Sequence, residues 1–223
     1  MGSTVNTVGY YCGRIGEGIL GEPQNSLTNL AFIAAALWAF GQWRQGENRD
    51  PLILAAVLAG GAIGLGSVIF HSHPTPLTLQ IDLWPIQIFG LGVIFLVAQR
   101  GFGLGLWGAG LAVLGFAAIR QLWVALLHPG LLGGGITHVP ALVVLLGSGV
   151  ILWRRGHPLG RALVGAAGLY VLALNARAAD LMICDAFPWG THWLWHLLTA
   201  GVVATLLHGL VRHGKARDDL HRY

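Results

Sequence analysis

Long apolar stretches separated by short polar breaks organise this chain. A helix needs roughly 20 apolar residues to cross a bilayer. Seven such stretches occur, over residues 26–43, 52–70, 77–98, 104–127, 136–153, 159–178 and 190–211. The breaks hold turn formers: Gly46 to Pro51, His73-Pro-Thr-Pro76, Gly101, Pro129-Gly130 and Gly156-His-Pro158. The pattern predicts an all-α integral membrane bundle of seven transmembrane helices.

The charges in the breaks give the bundle a direction. Arg44 and Arg49 follow the first stretch, Arg100 the third, and Arg154 and Arg155 the fifth, whereas 71–76 and 128–135 contain no Lys or Arg. Basic loops stay on the cytoplasmic side, so the N-terminus is expected outside and the C-terminus in the cytoplasm. Residues 1–25 then form an outer segment and 212–223 a basic cytoplasmic tail. Arg14 and Arg177 dissent from this pattern.

Composition supports the membrane class. Only 10% of the 223 residues are charged, against about 25% in soluble domains. The 34 glycines suit close helix packing in lipid. No polar linker divides the chain, so residues 1–223 read as one domain. The net charge of +4 sits mainly in loops and tail and gives no reason to expect nucleic acid as a partner. The first nine residues have neither a basic start nor an apolar run, so no signal peptide is expected. The charge pattern suggests a bacterial inner (plasma) membrane.

Ionisable groups inside a membrane are costly and point to function. His192 and His196 lie four residues apart, on one helix face one turn apart. With the expected topology, Ser67 and His71 end the second stretch, Asp82 lies in the first two turns of the third, and the two His open the seventh. Asn25 and Asn29 join them. Three distant segments thereby bring three His, one Asp and one Ser to the outer layer. Three neutral imidazoles with a fourth position open to water are the usual ligand set of catalytic zinc. Asp82 would act as general base and then acid, and Ser67 would donate a hydrogen bond to the water or the developing oxyanion. This implies metal-assisted hydrolysis of an acyl bond in a lipid. Three other readings stay open. They are a haem-binding electron carrier, a receptor-like protein with structural zinc, and an iron site of His192, His196 and Asp82. His128, His138 and His208 read as interfacial or packing residues. His73, His157, His213 and His221 read as solvated, and Trp189, Trp193 and Trp195 as interfacial anchors.

The run Asn25-Ser-Leu-Thr-Asn29, then Gly66-Ser67-x-x-Phe70-His71, Asp82 and His192-Trp-Leu-Trp-His196 resembles the alkaline ceramidase family. That family belongs to a group of seven-helix membrane hydrolases that also holds adiponectin-receptor-like proteins. The resemblance implies zinc on His71, His192 and His196, with Asp82 and Ser67 beside it. It also implies cleavage of ceramide-like lipids to a sphingoid base and a fatty acid. A family segment similar to Asp180-Leu-Met-Ile-Cys184 implies a Cys12–Cys184 disulfide, and an oxidising outer face permits one. Eukaryotic members bind calcium through an acidic N-terminal stretch. Here that stretch offers only Glu17 and Glu22 as carboxylates, with Asn25 nearby and Arg14 among them. Calcium takes six to eight oxygens, so it is not expected.

Overall fold

A computed structural model describes residues 11–16, 18–46 and 49–214. Glu17 and the greater part of the basic tail (215–223) lie outside the described residues. Those described form helices α1 Pro23–Thr28, α2 Leu30–Gln45, α3 Pro51–Ser72, α4 Pro76–Leu96, α5 Leu106–Leu126, α6 Val139–Arg154, α7 Leu159–Ala179 and α8 His192–His213. A π-helical turn, Val97–Gly101, extends α4, and 3-10 turns Leu131–His138 and Asp180–Met182 precede α6 and follow α7. No strand occurs among the described residues.

Six helical segments are long and apolar enough to cross a membrane, the mark of a multi-pass membrane protein. The 22 residues of α3 extend about 33 Å at 1.5 Å per residue, enough for a hydrocarbon core of about 30 Å. The first expected stretch differs. It breaks at Asn29, whose amide donates to the Asn25 carbonyl (2.6 Å), leaving α1 and a 16-residue α2. That is shorter than the roughly 20 residues of a usual crossing. Packing explains the break: Asn29 is fully buried, and a Cβ on Gly64 would sit 2.7 Å from its carbonyl.

Caps fix where the site-bearing helices begin. Asp50 caps α3 by accepting from the Leu52 N–H (2.8 Å), with Pro51 at the first helical position. It also pairs with Arg100 at 2.5 Å. At α4, Thr75 and Thr78 satisfy each other's backbone N–H in a capping box, which accounts for two orphan donors. α8 lacks a cap from its own Thr191 side chain. Asp180 substitutes from across the loop, accepting from the N–H groups of Thr191 (2.7 Å) and His192 (2.9 Å).

The core lies between α2, α3, α7 and α8, where Val57, Leu159, Leu163, Ala166 and Leu207 are fully buried. α7 packs along both α6 and α8, and α3 along α2 and α4. α5 is peripheral: Leu106, Trp107, Leu111, Leu114, Ile119 and Leu122 are all exposed. Such a continuous apolar face would be a liability in water and suits lipid.

Candidate metal centre

The C-terminal end of α3, the first turns of α4 and the N-terminal end of α8 meet at one end of the bundle. His71 comes from α3, and His192 and His196 are one turn apart on α8. Their ring centroids are 5.3 Å (His71–His192), 4.8 Å (His71–His196) and 4.6 Å (His192–His196) apart. Each offers one nitrogen within 4.8 Å of the others'. All three are buried, with exposures of 1%, 2% and 3%.

Small residues make this meeting possible. A Cβ on Gly66 would lie 3.2 Å from the Asp82 Cα and would collide with the Ile81 carbonyl. Glycine therefore lets α3 and α4 touch backbone to backbone, one residue before Ser67 and sixteen before Asp82 in sequence. Asp82 is half-buried. Ser67 and the His71 imidazole are the polar neighbours of its carboxylate. Its Oδ1 has no hydrogen-bond partner among the described residues.

The His rings are themselves held. Glu22 Oε2 meets His71 Nδ1 at 2.6 Å, and Thr28 Oγ1 meets His196 Nδ1 at 3.1 Å. A ring nitrogen engaged in this way turns the other nitrogen toward a metal and raises its basicity. Glu22 is almost fully buried, takes the Asn25 amide (3.0 Å) and pairs with Arg14 at 2.5 Å. The sequence placed Asn25 in the outer layer with the His cluster but gave Glu22 only as a calcium candidate, and it passed over Thr28. A carboxylate just before Pro23 in an apolar neighbourhood was the available signal. Arg14, a dissenter from the charge rule, is explained by its bond to Glu22.

The donor set fits a metal ion. His192 Nδ1 is buried without a hydrogen-bond partner among the described residues, which is costly for a polar atom. Three imidazoles closing on one point with a lone pair unsatisfied make a nitrogen-rich site of the type zinc takes. Zinc–nitrogen bonds of about 2.0–2.1 Å put tetrahedral ligands roughly 3.4 Å apart, within the span of these atoms.

Cys12 and Cys184 lie at disulfide-bonding distance, with Cα atoms 5.6 Å apart. The Cys12 N–H also donates to Asp180 (3.2 Å). Gly190 has a φ of +57°, and a Cβ there would strike both Asp180 and Cys12, so glycine is required at this corner. Tyr11, the preceding residue, stacks on His192 with centroids 3.7 Å apart. Burial pushes its phenol pKa up, so the hydroxyl keeps its proton at neutral pH.

The remaining His residues divide. Tyr170 and His138 Nδ1 are hydrogen-bonded at 2.9 Å, and His208 Nδ1 meets Gln42 Oε1 at 2.8 Å. Both are packing residues, and neither joins the metal cluster. Trp189 is partly exposed, whereas Trp195 is buried against His138 and Tyr170, an inner wall rather than an interfacial anchor. No protein-family model matches the chain, and no curated protein matches it.

Proposed function

We propose that this chain is a zinc-dependent membrane amidohydrolase that cleaves ceramide-like lipids to a sphingoid base and a fatty acid. The observation that carries the reading is a buried trio of imidazoles, His71, His192 and His196, with the carboxylate of Asp82 facing it. A carboxylate with a free oxygen beside a nitrogen-rich site is more than a structural metal needs. The motif resemblance supplies the substrate class. The basic loops favour a site in the outer leaflet, with the N-terminus outside.

Zinc bound by the three imidazoles supplies Lewis acidity at neutral pH. Asp82 takes a proton from the attacking water as its oxygen bonds to the amide carbon, then gives that proton to the nitrogen as the C–N bond breaks. The acyl fragment thus gains hydroxyl and the base gains hydrogen. Ser67 fixes the direction of the Asp82 carboxylate throughout. Glu22 and Thr28 hold two of the imidazoles in position.

Purified protein in detergent, stripped with a chelator, is expected to lose hydrolysis of a long-chain ceramide and to regain it with zinc. Asp82→Asn is expected to keep the zinc while turnover drops by about 10²–10⁴-fold. Undiminished turnover after metal removal sinks the proposal.

A further inference from the structure

Tyr11 has no part in the mechanism so far, yet its ring is in contact with the metal centre. It stacks on His192, planes 17° apart, and its centroid is 5.3 Å from that of His71. Its position is fixed by the next residue, because Cys12 is tied to Cys184 and Asp180 in the segment between α7 and α8. The carboxylates of Asp82 and Glu22 are its charged neighbours.

Arg177, from α7, is the second half of the arrangement. Its guanidinium carbon lies 6.0 Å from the Tyr11 ring centre and 5.2 Å from that of Trp195, so a positive charge sits beside the phenol. A guanidinium has donors only. Beside the phenol it can only give hydrogen bonds, never take the phenol's own hydrogen, and no described hydrogen bond uses that hydrogen. A cation beside the phenol also strengthens the O–H as a donor. Ser67 neighbours Asp82 and serves it in the proposed mechanism, and Asp82 is engaged in proton transfer. The substrate's carbonyl oxygen has no other assigned donor from the chain.

Resting on the hydrolase reading above, we propose that Tyr11 is a catalytic residue whose hydroxyl donates to the carbonyl oxygen of the scissile amide. The water oxygen bonds to the carbonyl carbon and negative charge grows on that oxygen. The Tyr11 O–H, backed by Arg177, holds it there. When the C–N bond breaks the carbonyl re-forms, and Tyr11 has kept its proton from start to finish. The gain comes from a donor aimed at the charge before it develops.

Tyr11→Phe keeps the stacked ring and removes the hydroxyl. With zinc-loaded full-length protein and a C16 ceramide in mixed micelles, kcat is expected to fall about 10²-fold and KM to rise by no more than about tenfold, with bound zinc unchanged. Binding of two uncleaved analogues gives a readout without turnover: a urea in place of the amide, which keeps the carbonyl, and a secondary amine, which lacks it. Tyr11→Phe is expected to weaken the urea about tenfold and to leave the amine alone. Wild-type kcat and urea affinity in Tyr11→Phe overturn the role of Tyr11 while the hydrolase reading stands. If only Tyr11→Leu, which also loses the stacking, lowers kcat, the ring is packing and the proposal falls. A zinc-loaded wild type that leaves ceramide intact sinks the hydrolase reading and the catalytic role with it.

Discussion

Glu22 has two carboxylate oxygens for three partners: Arg14, Asn25 and the Nδ1 of His71. Deep in the protein such a group is costly unless every charge is answered, and here it is answered on both sides. Glu22→Gln keeps the shape but lacks the charge that orients His71. Zinc affinity is expected to fall by about 10–100-fold, measured by competition with a chelating dye, while the helical signal stays intact. Unchanged affinity would mean that His71 does not depend on Glu22. Ser67, His71, Asp82, His192 and His196 were readable from spacing and common membrane depth. Glu22 and Thr28 were not, because contacts from the segment before α2 to the end of α3 and the first turns of α8 leave no periodic trace in sequence.

At the scale of helices, the site depends on how closely α3 approaches α4 and on where α8 starts. Gly66→Ala would push a methyl against the Ile81–Asp82 backbone, and overpacking of this kind costs about 1–3 kcal/mol. The expected result is a lower thermal midpoint together with a larger loss of turnover, since Asp82 is displaced along with its backbone. A loss of stability with full activity would show that Asp82 tolerates the shift. Apolar length located six of the seven expected crossings within a few residues. It missed the interruption of the first at Asn29, because the stretch stays apolar while buried amides, invisible to a hydropathy window, end the α1 turn. It also missed the cap that Asp180 gives to α8, a partner from outside the helix.

For the whole molecule, the Cys12–Cys184 pair closes most of the 223-residue chain into one loop, with a sequence separation of 172. A cross-link over so long a loop contributes about 2–4 kcal/mol. Cys12→Ser with Cys184→Ser is expected to lower the thermal midpoint and, through Tyr11 and Asp180, to reduce turnover. An unchanged midpoint would show that Asp180 alone holds the corner. Topology was legible as a set of apolar lengths, whereas the arrangement of neighbours, with α5 outermost and α2, α3, α7 and α8 around the core, was not. Helices of similar hydropathy give no signal of which will be enclosed by the others.

His71 precedes its partners His192 and His196 by more than half the chain, and the partners belong to α8, the last helix among the described residues. During synthesis, therefore, the nitrogen trio has no counterpart until α8 has been inserted. A nascent or prematurely terminated product with five or six helices already in the bilayer would hold a lone imidazole on α3. On the proposed reading it would neither sequester a cation nor attack surrounding lipid. Competence arrives in one step, with the final hairpin.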